Sequence, residues 1–248
     1  MRRLHALVFV AALMPLGAAA SKWKDALGAV QQAAQQPGVG GSLATLSNGE
    51  IAAGLKAALA QGTRTAVAHL GRTDGFWGNA AARIPLPKPI RKVEGLVRGI
   101  GMGASIDQLH LSLNRAAEQA VPVAAEVFAT AVEKLTLDDV RGILAGPNDA
   151  ATQYFKRTTS ETLTARFRPL VAKATADVGL AQSYQQMVAS AGPFAASLGS
   201  SADLDAFVTQ KALDSLFVQV AAEEARIREN PAARTSDILR KVFGAKRT

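Results

Sequence analysis

Residues 105–122 read SIDQLHLSLNRAAEQAVP. At the 100° per residue of an α-helix, the apolar side chains of this stretch fall on one stripe, formed by Ile106, Leu109, Leu113, Ala116, Ala117 and Ala120. The spacing predicts an amphipathic helix that packs this stripe against other helices. Four polar side chains lie along its margin: Asp107, His110, Asn114 and Glu118. The helix therefore carries either an active site or polar groups that bind neighbouring segments.

The rest of the chain also predicts helices. About one residue in five is alanine, the strongest helix former, and β-branched or aromatic runs are scarce. Five residue pairs have capping-box spacing, namely Ser47/Glu50, Ser105/Gln108, Thr136/Asp139, Thr158/Glu161 and Ser200/Asp203. We predict an all-α protein, a single multi-helix bundle with kinked helices at 47–70, 105–134, 136–145, 159–190 and 202–229. Shorter helices are predicted at 22–36, 88–100, 148–157 and 235–243.

Two prolines lie inside these predicted helices. Pro122 and Pro169 each remove a backbone amide, and each ring clashes with the preceding turn. We expect a kink or a break at both positions.

The longest predicted non-helical stretch is GRTDGFWGNAAARIPLPKP, residues 71–89. Its glycines permit turns, and its prolines favour extended backbone. Phe76 and Trp77 predict order, because large aromatic side chains need a surface against which to be buried. We expect them to attach the loop to the bundle, with a lid or a partner-binding tip as the alternative. Phe76, Trp77 and Asn79 are therefore candidate binding residues.

The first twenty residues have the composition of a secretory signal peptide. Arg2 and Arg3 precede an apolar stretch over residues 4–16, and an alanine run that ends at Ala20 provides a cleavage site. We expect cleavage near Ala20 and export to the periplasm. The remaining chain is predicted to comprise an N-terminal helix and linker (21–42), a helical domain (43–230), and a short basic C-terminal helix and tail (231–248).

Composition limits the partners and the chemistry. The chain has 28 Lys and Arg, 20 Asp and Glu, a formal net charge of +8, and no cysteine. The absence of cysteine excludes disulfides, thiol nucleophiles and thiolate metal sites. The positive charge would suit an anionic envelope component, although ordinary solubility also accounts for it. Export would separate the protein from nucleic acid, so no nucleic-acid partner is expected.

The residues that could carry catalysis are few. The candidates are Asp107, His110, Glu118 and Tyr154, which a hydrolase or a small-ligand-binding protein would have to place around one pocket. The chain has no G-x-S-x-G motif, and it has one Asp-x-x-His where a di-metal helical bundle needs two Glu-x-x-His motifs. We therefore expect no metal and no cofactor, and we favour a non-enzymatic role.

A second polar cluster lies in residues 136–163. Short helices joined by tight turns would bring four polar side chains close together: Asn148, Thr152, Tyr154 and Thr158. These groups could complete a hydrogen-bonded network with Asp107, Asn114 and Glu118, which would fix the packing and need no ligand. The alternative is a binding site that includes Asn114, Arg115, Asn148 and Thr152.

The C-terminal segment SDILRKVFGAKRT, residues 236–248, combines apolar and basic side chains. It could contact an anionic membrane surface as a peripheral element. Because isolated helices this short are marginal in water, docking on the protein's own bundle is the favoured alternative.

Several ordered motifs carry a family resemblance: LSNGEIAAGLKAAL, DGFWGN with IPLP, LNRAAEQAVP, ILAGPNDAATQYF and FRPLV. In that order they resemble the uncharacterised proteobacterial envelope family named domain of unknown function 4197. The resemblance covers about residues 43–180. It implies an exported helical protein and supplies no activity. We expect a non-enzymatic periplasmic binding or structural module that contacts another envelope component.

Overall fold

A computed structural model describes residues 47–99, 101–177, 184–185, 188–189 and 201–229. Every regular element among them is helical, which confirms the predicted all-α bundle. The α-helices are α1 (Asn48–Leu70), α2 (Lys88–Gly99), α3 (Gly103–Ala120), α4 (Ala124–Glu133), α5 (Leu137–Ala145), α6 (Ala150–Asp177) and α7 (Ser201–Glu229). The predicted signal peptide, the predicted helices 22–36 and 235–243, and the basic C-terminal tail lie outside the described residues.

Two predicted capping boxes are confirmed, at the starts of α1 and α5. The hydroxyl of Ser47 accepts a hydrogen bond from the amide of Glu50 at 3.2 Å, and the Glu50 carboxylate accepts from the Ser47 amide at 2.8 Å. Thr136 and Asp139 make the same pair of bonds at 3.1 and 3.0 Å. The bonds to Thr136 lower the pKa of the Asp139 carboxyl. Each box satisfies amide groups that a helix start leaves unpaired.

Two other predicted boxes are wrong. Helix α3 begins at Gly103, its N-cap is Met102, and no side chain caps it, so Ser105 already lies inside the helix. Thr158 lies within α6, where its hydroxyl donates to the carbonyl of Tyr154 at 2.8 Å. In both places the chain enters the helix earlier than the local signal indicates. The fifth predicted box includes Ser200, which lies outside the described residues.

The prolines have different outcomes. At Pro122 the prediction is confirmed, because α3 ends at Ala120 and a 3-10 turn, Val121–Val123, precedes α4. Of the two outcomes expected at Pro169, a break does not occur, because α6 continues through it, and the separate helices predicted at 148–157 and 159–190 are one helix to Asp177. Phe167 and Val171 beside Pro169 are fully buried. Their packing offsets the cost of about 3 kcal/mol that an internal proline imposes.

The observed caps can be tested by comparing a substitution at a used N-cap with one at a predicted N-cap that lies inside a helix. We expect Thr136→Ala to lower the free energy of unfolding by about 1 kcal/mol, because the start of α5 loses its side-chain acceptor. Ser105→Ala, at the predicted cap that the structure does not use, should change it by less than about 0.5 kcal/mol. Urea denaturation followed by circular dichroism measures both. Equal losses for the two variants would contradict the assignment of the caps.

Aromatic side chains from different helices meet in the core. The ring centroid of Phe128 on α4 lies 5.1 Å from that of Phe155 on α6 and 6.2 Å from that of Phe217 on α7. All three residues are buried. Helix α6 packs mainly against α7 and α3, and α1 packs against α7 and α4. This core supports α3, the helix that carries the polar residues of stretch 105–122.

Helix α2 and the loop before it lie on α3. Helix α2 packs against α3 and buries Ile90, Val93 and Val97. The preceding segment, residues 71–87, contains turns and irregular backbone and is called loop 71–87 below. Its Phe76, Ile84 and Leu86 are buried, so it is a packed part of the domain.

Candidate functional site

The aromatic residues of loop 71–87 take different positions. Phe76 is fully buried, which confirms that the loop is attached to the bundle through an aromatic side chain. Trp77 is half-buried, and its ring meets the ring of His110 edge to face, with 5.0 Å between the centroids. The guanidinium of Arg83 lies 4.6 Å above the Trp77 ring and also donates to the Trp77 carbonyl at 2.6 Å. Trp77 is therefore held in one orientation with part of its surface accessible.

Glu118 binds the main chain of this loop. One carboxylate oxygen, Oε1, accepts hydrogen bonds from the amides of Phe76 and Trp77, both at 3.1 Å. The other oxygen, Oε2, accepts from the guanidinium of Arg115 at 2.7 Å. Glu118 is 4 % exposed, so its charge is compensated by these donors and only slightly by water. The carboxylate of α3 thus holds the loop at its aromatic tip.

Asn114 and His110 bind the loop at a second place, Ile84. The Asn114 side chain accepts from the Ile84 amide at 2.8 Å and donates to the Ile84 carbonyl at 3.1 Å. It thus pairs with both main-chain polar groups of Ile84. His110 Nε2 lies 2.9 Å from the same carbonyl. Because a carbonyl oxygen only accepts, Nε2 carries the proton in this contact. Three side chains of α3 therefore bind main-chain groups of the loop.

Arg115 joins α3 to the start of the loop. It donates to Glu118 and, at 2.7 Å, to the carboxylate of Asp74. Asp74 has φ 64°, a left-handed conformation that costs less for Asp than for bulkier residues. At Gly75 an added Cβ would lie 2.3 Å from the carbonyl oxygen of Leu70, so only glycine fits this turn. The hydrogen bond to Glu118 is the main reason that the pKa of Arg115 is raised.

Two further candidates near this site have local roles. Asp107 is exposed and pairs with Arg98 of α2 at 2.6 Å, and this hydrogen bond lowers the pKa of Asp107. It thus joins α2 to α3 and makes no bond to the loop. Asn79 accepts from the amide of Ala81 at 3.1 Å, which stabilises a turn within the loop.

The second predicted polar cluster is separate, so the predicted union with the α3 residues is wrong. Thr152 donates through its amide and its hydroxyl to the carboxylate of Glu224, each at 2.8 Å. The Tyr154 hydroxyl donates to the carbonyl of Ala131 at 3.1 Å, and burial raises the pKa of this phenol. Asn148 is exposed in the turn before α6. The catalytic candidates Asp107, His110, Glu118 and Tyr154 thus each bind a different group.

Sequence reasoning missed Glu224 and Arg83. Glu224 occupies a position of the buried stripe of α7, which includes Leu213, Leu216, Val220 and Ile227. An acid at an apolar position was the signal that could have identified it. No comparable signal existed for Arg83, because its contact with Trp77 depends on the path of an irregular loop.

The described residues contain no group of three or more His, Asp or Glu side chains placed to hold a metal ion. None of the helices described combines the length and the hydrophobicity that a bilayer span requires.

Comparison with known proteins identifies one family. Its sequence pattern, described as "Protein of unknown function (DUF4197)", matches residues 45–244. No curated protein and no solved structure matches the chain. Because the match covers most of the sequence and includes both the loop and α3, the chain belongs to the family described as protein of unknown function, DUF4197.

Proposed function

We propose that this protein is an exported, non-enzymatic binding module that contacts another envelope protein through the surface formed by Trp77, Arg83 and His110. The observation that carries the proposal is that buried polar side chains of α3 bind the main chain of loop 71–87. Glu118 and Asn114 bind the main chain of loop 71–87, so their hydrogen-bonding capacity fixes the loop. A loop held in this way presents its tip with little conformational entropy left to lose on binding.

The composition of the tip supports a protein partner. Trp and Arg are the residue types that most often dominate the binding energy of protein interfaces, and here Arg83 stacks on Trp77. The predicted signal peptide, in which Arg2 and Arg3 precede an apolar stretch, supports export. Export would place this surface in the periplasm.

A photo-crosslinking experiment tests the proposal. We expect a benzophenone amino acid at position 77 to give a discrete adduct with one envelope protein in cells that produce the chain. The same amino acid at Val218, which is 55 % exposed on α7, should give no such adduct. With the purified partner, Trp77→Ala should weaken binding by about thirtyfold, because aromatic hot spots contribute about 2 kcal/mol or more. Val218→Ala should leave the affinity unchanged.

Two outcomes would contradict the proposal. One is an identical adduct pattern from positions 77 and 218, which would show that the crosslinks do not report a specific surface. The other is retention of the chain in the cytoplasm with residues 1–20 intact, which would remove the protein from the proposed partner.

A further inference from the structure

The outer face of α2 is a stripe of exposed residues that begins with three basic side chains and ends with a leucine. Ile90, Val93 and Val97 are buried against α3. The opposite side of the helix carries exposed residues at positions i, i+3, i+4, i+7 and i+8, which lie on one face of a helix: Lys88, Arg91, Lys92, Gly95 and Leu96. Leu96 is 49 % exposed, which makes it one of few large apolar side chains at the described surface.

Within the part of the chain that the structure describes, this stripe is uncovered, because each of its five residues is exposed. An added Cβ at Gly95 or at Gly99 would meet no atom within 4 Å. The two glycines also leave the surface around Leu96 low and flat. The described residues therefore leave the stripe accessible along α2, which extends about 18 Å at 1.5 Å per residue.

The positive charge of the stripe is not neutralised by the described part of the molecule. Glu94 is the only acid of α2, and it pairs with Arg98 at 3.0 Å. Arg98 in turn also binds Asp107 on α3. Lys88, Arg91 and Lys92 form no salt bridge with any residue of the described ranges. An exposed leucine thus follows, one turn along the helix, three cations that have no salt-bridge partner among the described residues.

We propose that the outer face of α2 binds an anionic phospholipid surface. Lys88, Arg91 and Lys92 contact lipid phosphates through flexible side chains, and Leu96 enters the headgroup region one turn beyond Lys92. A flat stripe rich in lysine and poor in aromatic residues suits a charged plane better than it suits a folded partner, because lysine is depleted at protein interfaces. This surface does not include Trp77, so the inference is independent of the proposed protein partner.

Vesicle co-sedimentation of the full chain tests this inference. We expect binding to vesicles of equal phosphatidylglycerol and phosphatidylcholine, and much weaker binding to phosphatidylcholine alone. A basic residue near an anionic surface contributes about a fivefold factor to partitioning, so Lys88→Glu/Arg91→Glu/Lys92→Glu should reduce binding on the order of a hundredfold. Leu96→Ser should reduce it several-fold. Raising the salt concentration should weaken wild-type binding, because the attraction is screened.

Matched variants separate this surface from total charge and from other segments. Lys134→Glu/Arg168→Glu/Lys173→Glu changes the net charge equally at exposed positions of other elements, and it should retain most of the binding. Val218→Ser is the corresponding control for Leu96→Ser, and Trp77→Ala should sediment like the wild type. Circular dichroism confirms that each variant is folded.

The inference is overturned if the wild-type chain does not sediment with anionic vesicles, a result that would leave an acidic protein surface as the alternative partner for α2. It is also overturned if both charge-reversal triples lose binding equally, since total charge would then be responsible. Loss of binding in Arg240→Glu/Lys241→Glu, with the α2 variants unaffected, would assign the membrane contact to the C-terminal segment instead.

Discussion

Replacement of Glu118 by alanine is expected to lower the free energy of unfolding by about 3–5 kcal/mol, the range typical of removing one partner from a buried ion pair. The carboxylate is 4 % exposed and accepts from two loop amides and from Arg115. Alanine would leave the Phe76 amide buried without an acceptor, and such a group costs about 1–3 kcal/mol. Arg115 would keep only Asp74 as a partner. The measurement is chemical denaturation followed by circular dichroism.

Two substitutions bracket this expectation. Glu118→Gln keeps an oxygen that can accept from the loop amides, but it places an NH2 donor against the donors of Arg115. We therefore expect the free energy of unfolding to fall by about 1–3 kcal/mol. Glu126→Ala removes a carboxylate that is 72 % exposed and pairs with Arg166 across the surface, which should cost less than about 1 kcal/mol. A loss for Glu118→Ala as small as that for Glu126→Ala would show that Glu118 does not hold the loop.

The same variant should release the loop before the bundle unfolds. The chain has two tryptophans, Trp23 and Trp77, so a Trp23→Phe background isolates the loop signal. We expect Glu118→Ala to shift Trp77 emission to longer wavelength and to increase trypsin cleavage after Arg83 under native conditions. An unchanged emission spectrum, combined with lowered global stability, would place the role of Glu118 in the bundle and outside the loop.

The helices could be predicted from sequence because their signals are local. The capping boxes at Ser47 and Thr136 and the break at Pro122 depend on residues within one turn, and the structure contains all of them. The false start at Thr158 and the continuity of α6 through Pro169 have the opposite cause. Packing over the full length of α6 outweighs a local preference there, and a sequence window does not contain that packing energy.

The site could be predicted only in part. Periodicity placed Asn114 and Glu118 at the margin of the stripe of α3, and Phe76 indicated an ordered loop. The acceptors and donors that these side chains use are main-chain groups 30 to 42 residues away. Main-chain groups carry no residue identity, so the sequence favoured side-chain partners such as Thr152 and Tyr154, which the structure places with other groups.

Glu118 and Glu224 use the same chemistry in different parts of the fold. Each is a buried carboxylate in the C-terminal part of its helix that accepts hydrogen bonds from consecutive main-chain amides of another segment. Each is also paired with an arginine three or four residues along its own helix. Glu118 orders an irregular loop, whereas Glu224 provides the first turn of α6 with acceptors that local residues do not supply.

We expect Glu224→Ala to be as destabilising as Glu118→Ala, at about 3–5 kcal/mol. Its carboxylate accepts from the amides of Ala151 and Thr152 at 3.0 and 2.8 Å, at the positive end of the α6 dipole. Arg228, whose side chain is 11 % exposed, would lose its carboxylate partner in a nearly dry environment. Asp214→Ala on the same helix is the matched control, because Asp214 is 48 % exposed and pairs with Lys211 at the surface, so its loss should cost less than about 1 kcal/mol.

The two members of the buried pair should not be equivalent. Arg228→Met removes the cation but leaves Glu224 with the Thr152 hydroxyl and the two amides of α6, so we expect a loss of only about 1–2 kcal/mol. Glu224→Ala removes the acceptor of the helix start and also takes the carboxylate from Arg228, which still donates to the carbonyl of Ile143 at 3.0 Å. Denaturation of the two single variants measures this difference directly. If Arg228→Met is the more damaging change, the main role of Glu224 is to neutralise Arg228, and the start of α6 is stabilised by its own residues.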